Sequence, residues 1–382
     1  MSAASPPLAP IRMAPIRMAM VGGGAGSFIG PVHRMAAELD RQIVLVAGAF
    51  SSEPARSAET GRSLGLADDR IHADWRAMLA AEAGRADGAE LVAIVTPNHL
   101  HLPVARAAIA AGLHVVSDKP ATATLAEALE LRDALAGTGR VYALTYTYTG
   151  YPMIRRARAM IADGALGEVR RIIVDYPQGW LAEPIENQGS KQAAWRADPA
   201  RAGIGGCIGD IGVHAFNLAE YVSGAKVAEF VADLGSVVPG RRLDDDCNML
   251  LRFDNGARGA LLASQIATGE RNDLTIRIQG AKAGIAWSHA TATMLTITGL
   301  DGETRIQHGG TEATARLPVG HPDGFIEAFA NIYRDTAAAI RGADGIVDAL
   351  VPGIAAGVRS MRFVQRAVES SAARAGWTRL ED

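Results

Sequence analysis

The sequence predicts an α/β protein in two parts. The first half is α/β on a parallel sheet; the second is α+β on one large, mostly antiparallel, open sheet. Three observations predict this. The 382 residues exceed one ordinary domain, so two is the natural division. Up to about residue 150, short apolar runs alternate with helical stretches, the rhythm of a parallel sheet covered on both faces. Beyond that point strand-like runs succeed one another with turn signals between them.

Each element follows in order. Residues 16–21 are an apolar run ending in glycines, 29–39 a helix, 43–49 a second strand and 53–64 a helical stretch. Strands are expected at 91–95, 114–117 and 141–146, with helices at 100–111 and 125–135. A helix at 153–163 opens the second half. Strand-like runs follow at 171–176, 227–237, 248–253, 257–265, 274–279, 285–287, 294–298 and 303–307. "DNG" at 254–256 and "DG" at 301–302 supply turns between them. One helix, 211–222, interrupts the series, and helices return at 325–341 and 352–371. The expected division is a disordered lead-in over 1–15, a dinucleotide-binding domain over 16–150, and a substrate-binding and oligomerisation domain over 151–382 whose C-terminal helices reach back to the first.

Composition narrows the class. A net charge of -3 gives no basic footprint for nucleic acid. No apolar run reaches the roughly 18 residues of a membrane span. Cys207 and Cys247 are the only cysteines, too few for a disulfide framework, so a reducing, cytoplasmic setting is expected. The unit at 9–13 recurs at 14–18, and the first apolar run leads straight into the first strand, unlike a signal peptide.

"MVGGGAGSFIG", residues 20–30, joins the first strand to the first helix. Glycines there let the backbone approach a pyrophosphate, and a helix N-terminus favours its charge. Gly22 and Gly24 fit the G-x-G-x-x-G pattern, but Ser27 holds the third place, so Gly26 or Gly30 must serve. After the second strand, "GAFSSEPAR" (48–56) has no carboxylate before Glu53 to hold an NAD ribose. Ser51, Ser52 and Arg56 stand there and suit a 2′-phosphate, which favours NADP over NAD. The structural alternative is that Ser52 caps the next helix and Arg56 is solvated.

"GIGGCIGDIGVH", residues 203–214, sets dense glycines ahead of an acid and an imidazole. On a helix Asp210 and His214, four apart, share one face. Taken alone, Asp210 is equally a helix cap and His214 a core histidine.

"TPNHLH" (96–101), "SDKPAT" (117–122) and "AWRADPARAGIGGCIGDIGVH" (194–214) together resemble the Gfo/Idh/MocA family, over residues 16 to about 341. The resemblance implies an N-terminal Rossmann domain and a C-terminal domain with an open sheet. It also implies nicotinamide-dependent oxidation or reduction of a sugar, polyol or inositol-like compound. Lys119 falls on the lysine of the family's Glu-Lys-Pro motif, and Asp210 and His214 on its Asp-x-x-x-His pair. Ser51 and Arg56 match the spacing of a phosphate-binding pair in NADP-dependent members. Asp118 departs from the usual Glu, and "YTYTGYP" (146–152) lacks an arginine many members carry.

These matches assign roles. Lys119 holds the reacting oxygen, His214 carries its proton, and Asp210 orients substrate or lysine. Thr96, Pro97, Asn98, His99, Asp118 and Lys119 line the cofactor cleft with Gly22, Gly24, Gly26, Ser51, Ser52 and Arg56. Trp195 and Arg196 cover nicotinamide or grip substrate, and Tyr176 and Gln178 read sugar hydroxyls from the sheet. The glycines of 203–209 are expected to pass close to nicotinamide and sugar. Tyr148, Tyr151 and Trp180 point to an uncharged substrate. No metal is expected: 244–246 reads as a polar turn, and His99 and His101 lack a third ligand. A homodimer or homotetramer paired through the open sheet is expected. The alternatives are a keto-sugar reductase using NADPH, of the anhydrofructose type, and a non-catalytic dinucleotide or sugar sensor.

Overall fold

The computed structural model describes residues 14–310, 312 and 315–381. The expected lead-in lies outside the described residues as far as residue 13; Ala14 and Pro15 are exposed and carry no regular structure. The first part runs β1 (Ile16–Gly22), α1 (Ile29–Leu39), β2 (Ile43–Ala49), α2 (Pro54–Ser63), α3 (Trp75–Ala83) and β3 (Leu91–Val95). It continues with α4 (His101–Ala110), β4 (His114–Ser117), α5 (Leu125–Leu135) and β5 (Tyr142–Leu144). The five strands are parallel, in the order β2-β1-β3-β4-β5. Strand alternation sends side chains to two cores. Met18 and Met20 of β1 pack with Val32 and Ala36 of α1, whereas Ala19 and Val21 join Val104, Ala105 and Ala108 of α4.

The second part runs α6 (Pro152–Ala162), β6 (Val169–Pro177), α7 (Lys191–Arg196), α8 (Pro199–Ala202), α9 (Val213–Ser223), β7 (Val227–Gly235), β8 (Asp246–Phe253) and β9 (Arg258–Ser264). It ends with β10 (Thr275–Gly280), β11 (Ala283–Ser288), β12 (Met294–Gly299), β13 (Thr304–His308), α10 (Phe325–Ile340), α11 (Ile354–Ala372) and β14 (Thr378–Arg379). The nine strands are ordered β13-β12-β11-β10-β6-β9-β8-β7-β14. Every pair is antiparallel except β6 with β9. That parallel pair brings the chain ends after Pro177 and Ser264 out at one edge, Tyr176 lying beside Ala263.

Helix α9 packs on β6 and β9, and α11 on β7. On the opposite face of the sheet Leu250 of β8 is 57% exposed, between the half-buried Val231 of β7 and Ala260 of β9. Helix α10 returns to the first sheet, where Phe329 and Tyr333 join the core beneath α1. The Tyr333 hydroxyl lies 2.7 Å from His33 Nδ1. Both cysteines are buried and free. No helix among the described residues is long and apolar enough to cross a membrane.

Candidate active site

The glycine loop follows β1 at the carboxyl edge of the parallel sheet. Gly24 N–H donates to Phe50 O at 3.2 Å, which ties the loop to the end of β2. The third glycine role falls to Gly30. A Cβ there would come within 2.4 Å of Gly23, so the start of α1 can approach the loop only because position 30 lacks one. Gly26, with φ +82°, faces open space. Helix α1 has no acidic residue in its first turn. The Thr96 hydroxyl, at the end of β3, is buried without a hydrogen-bond partner. Loop, helix end and free hydroxyl fit a nicotinamide dinucleotide.

At the end of β2 the residues expected to hold a 2′-phosphate contact one another. Ser51 Oγ accepts the Glu53 N–H at 3.1 Å, and the Arg56 guanidinium is 3.4 Å from the Glu53 carboxylate. This pair is exposed on both sides, so it holds Arg56 only weakly. Ser52 caps nothing: the residue preceding α2 is Glu53, and no side chain bonds its first turn.

Beyond β3, Thr96 and Pro97 are half-buried, Asn98 is buried and His99 is exposed. Asn98 Nδ2 donates to Ala202 O at 2.9 Å, which fastens α8 to the edge of the first sheet. His101 is a core histidine, bridging Thr96 O and Pro120 O. After β4, the Asp118 carboxylate accepts from Lys119 N–H at 2.9 Å and from the Thr145 hydroxyl at 3.0 Å. The shorter acid therefore steers the lysine's backbone rather than its side chain. The Lys119–Pro120 peptide is cis.

Lys119 Nζ crosses to the second part, donating to Asp210 Oδ1 at 2.8 Å and to Asp210 O at 2.5 Å. Asp210 does not cap a helix. It lies within a π-helical turn, Ile208–Gly212, that runs into α9. Its second oxygen accepts from Arg196 Nε at 3.1 Å and Gln265 Nε2 at 2.9 Å. Burial alone would raise the Asp210 pKa, but Lys119 and Arg196 outweigh it and hold the carboxyl well below its ordinary range. The guanidinium of Arg196 lies 4.2 Å over the Trp195 ring and 5.8 Å from that of Trp180.

The glycines before Asp210 mostly meet the chain itself, which corrects the expectation that they face the ligands. A Cβ on Gly203 would come within 2.6 Å of Ala123 O, and one on Gly206 within 2.2 Å of Asp244 O. Gly209 alone of this run faces open space. Asp244 anchors the loop, its carboxylate accepting from Gly206 N–H at 2.6 Å and Ile208 N–H at 2.7 Å. Burial pushes its pKa up to about 6 against those two bonds.

His214 stands among three tyrosine rings, edge-on to Tyr146 at 5.6 Å, Tyr148 at 5.1 Å and Tyr176 at 6.3 Å. It makes no hydrogen bond to Asp210, and its Nδ1 is buried without a partner. Burial and the Lys119 charge depress its pKa well below the ordinary value, so the ring is neutral at pH 7.

Tyr176 donates to Asn272 Oδ1 at 2.8 Å and lies 2.5 Å from the Tyr148 hydroxyl. Gln178 Nε2 also reaches Asn272 Oδ1, and Trp180 Nε1 donates to Gln178 Oε1 at 2.9 Å. Tyr148 and Tyr151 are core residues, 3% and 1% exposed, that support His214 and His289. Burial pushes the Tyr148 phenol up to about 12, so it is a neutral donor and acceptor. Gln265, Asn272 and Asp244 escaped sequence reasoning. Gln265 closes an apolar run, whereas Asp244 and Asn272 sit among other polar residues that look alike in the sequence.

Known proteins resemble the whole chain. Residues 16–146 match the profile of the "Oxidoreductase family, NAD-binding Rossmann fold", and 154–286 that of the "GFO/IDH/MocA C-terminal domain". An uncharacterized oxidoreductase of Bacillus subtilis, YfiI, is 34% identical across 96% of this chain and 97% of its own. An inositol dehydrogenase homolog from Azotobacter vinelandii, crystallised with NAD+, superposes with a TM-score of 0.91 at 36% identity, covering 96% of this chain and 97% of that one. Its complex with NADH and myo-inositol gives 0.89 at 35% identity over the same shares. Levoglucosan dehydrogenase with NADH and levoglucosan gives 0.84 at 26% identity, covering 96% of this chain and all of that one, 100%. Matched over both of its parts, the chain is a member of the Gfo/Idh/MocA oxidoreductases, with a nicotinamide-dinucleotide Rossmann fold ahead of its second sheet.

Proposed function

We propose that the protein oxidises a secondary hydroxyl of an uncharged cyclic polyol or anhydro-sugar, with Lys119, Asp210 and His214 as its catalytic residues. One observation carries this: Lys119 Nζ, just past the carboxyl end of β4, is held by Asp210 at 2.8 Å, with the neutral His214 near enough to feel its charge. Two cations, Lys119 and Arg196, share one carboxylate, so the site keeps one positive charge for a developing alkoxide. Lys119 binds the substrate oxygen, and His214 Nε2 takes the hydroxyl proton as the carbon is oxidised. Gln178, Asn272 and Tyr176 supply neutral partners for the remaining hydroxyls. When bound, the nicotinamide supplies the hydride acceptor. The relatives crystallised with myo-inositol and levoglucosan support the substrate class. Turnover of a panel of cyclitols and anhydro-sugars tests it; a panel without a substrate, in protein that binds the dinucleotide, removes the proposal.

For the cofactor we infer a preference for NAD. Glu53 sets a carboxylate beside Arg56, and the inositol dehydrogenase homolog and levoglucosan dehydrogenase were crystallised with NAD+ or NADH. Affinities of the wild type for both dinucleotides decide this. Tighter NADP restores the phosphate-binding reading of Ser51 and Arg56.

The exposed Leu250 on the open face of the second sheet supports pairing with a second copy. Sedimentation of the wild type and Leu250→Asp tests it, a monomeric wild type being the contrary result.

A further inference from the structure

A second cleft, of about 520 Å³, lies away from this site. It opens between α9 and α11 and is bordered by the last turns of α5 and α6. Its size falls in the range of about 300–1,000 Å³ typical of small-molecule sites. Five basic side chains line it: Arg132, Arg158, Lys226, Arg359 and Arg362. Only two acidic ones do, and both are engaged. Glu220 accepts from Arg359 at 2.9 Å, Lys226 at 3.1 Å and Val227 N–H at 2.8 Å. Asp348 accepts the Gly353 N–H at 3.0 Å.

The surplus positive charge rests on α6 and α11. The Arg158 guanidinium lies over the Tyr221 ring, 4.2 Å from its centroid, and pairs with no carboxylate among the described residues. Arg362 reaches only the backbone oxygen of Glu381, at 3.4 Å, and likewise has no carboxylate partner among them. Both are half-buried. A guanidinium held by an aromatic ring and left without an anion is preorganised for a planar or tetrahedral oxyanion. Phe216 and Val358 add apolar wall to the same cleft.

We propose that this cleft binds a small organic phosphate, its oxyanion taken by Arg158 and Arg362 and its body laid against the apolar wall. The site is separate from the dinucleotide loop and does not rest on the hydride-transfer reading, since binding alone is claimed.

Phenyl phosphate is the probe, titrated calorimetrically into protein saturated with NADH so that the dinucleotide site is filled. The expected result is one saturable site that weakens tenfold or more in Arg158→Gln and in Arg362→Gln, with NADH affinity unchanged in both. The unchanged NADH affinity certifies that the variants are folded. Absence of binding at millimolar phenyl phosphate, or equal affinity in wild type and both variants, overturns the proposal.

Discussion

Replacing Asp210 by Asn removes the one charge that holds Lys119 and Arg196 together. The carboxylate is 2.8 Å from Lys119 Nζ and 3.1 Å from Arg196 Nε, and it is 19% exposed. At an effective dielectric constant near 20, two unit charges about 4 Å apart attract by about 4 kcal/mol. Breaking a buried pair costs about 3–5 kcal/mol, because the surviving charge loses its partner. Asn keeps an oxygen for Lys119 and stays near Gln265, so about 2–3 kcal/mol is the expected loss. If the loss falls on the placement of Lys119 in the transition state, turnover drops roughly 30- to 150-fold. Dinucleotide affinity should change less than threefold, since none of the loop's contacts involves Asp210. Steady-state turnover with an accepted polyol, beside fluorescence titration of NADH, separates the two. A folded Asp210→Asn variant with turnover within threefold of wild type refutes the reasoning.

Three further outcomes are expected. His214 is neutral at pH 7 with a pKa depressed well below 6.5, so the acid limb of kcat/KM lies on the acid side of that value and is lost in His214→Ala; a limb retained in the variant assigns the proton carrier elsewhere. Glu53→Gln frees Arg56 and should tighten NADP roughly tenfold while changing NAD little, the scale of a charge-assisted bond; equal changes for both cofactors place the pair outside the ribose site. His33 is buried against Tyr333 with its pKa lowered to about 4. Between pH 6.5 and 4 the unfolded chain takes up a proton that the folded one refuses, so stability falls by about 1.4 kcal/mol per pH unit, up to about 3 kcal/mol. Urea midpoints across this range should flatten in His33→Gln, and an unchanged slope argues against that origin.

Much of the fold was legible because its strands carry local signals. The runs at 29–39, 43–49, 91–95, 114–117 and 125–135 are elements with those same bounds, since each is an unbroken apolar or amphipathic segment with a turn or polar residue just beyond it. Helix α3 went unread because its buried residues, Met78, Leu79 and Glu82, give only a weak apolar stripe. The parallel placement of β6 beside β9 was invisible for another reason. Strand order depends on which faces α9 and α11 cover, and no local pattern records that.

The candidate site divided the same way. Lys119, Asp210 and His214 lie in motifs, and the structure brings them together. Gln265 and Asn272 reach the site only through sheet register, and Asp244 grips the glycine loop from 38 residues away. Arg56 has a partner, Glu53, three residues earlier in the same turn. Spacing alone could not say whether that carboxylate turns toward the guanidinium or away. Dense glycine at 203–209 signalled close approach correctly, but the approaching atoms are Ala123 O and Asp244 O.

The central claim is that Lys119, Asp210 and His214 serve hydride removal from a carbinol carbon. The most direct measurement compares nicotinamide reduction with a turned-over polyol carrying hydrogen or deuterium on that carbon, in single turnover, for wild type and Lys119→Ala. The account expects a primary isotope effect in the wild type, and a rate at least a hundredfold lower with intact NAD binding in the variant. No isotope effect on the single-turnover chemical step, or near-normal reduction by Lys119→Ala, contradicts it.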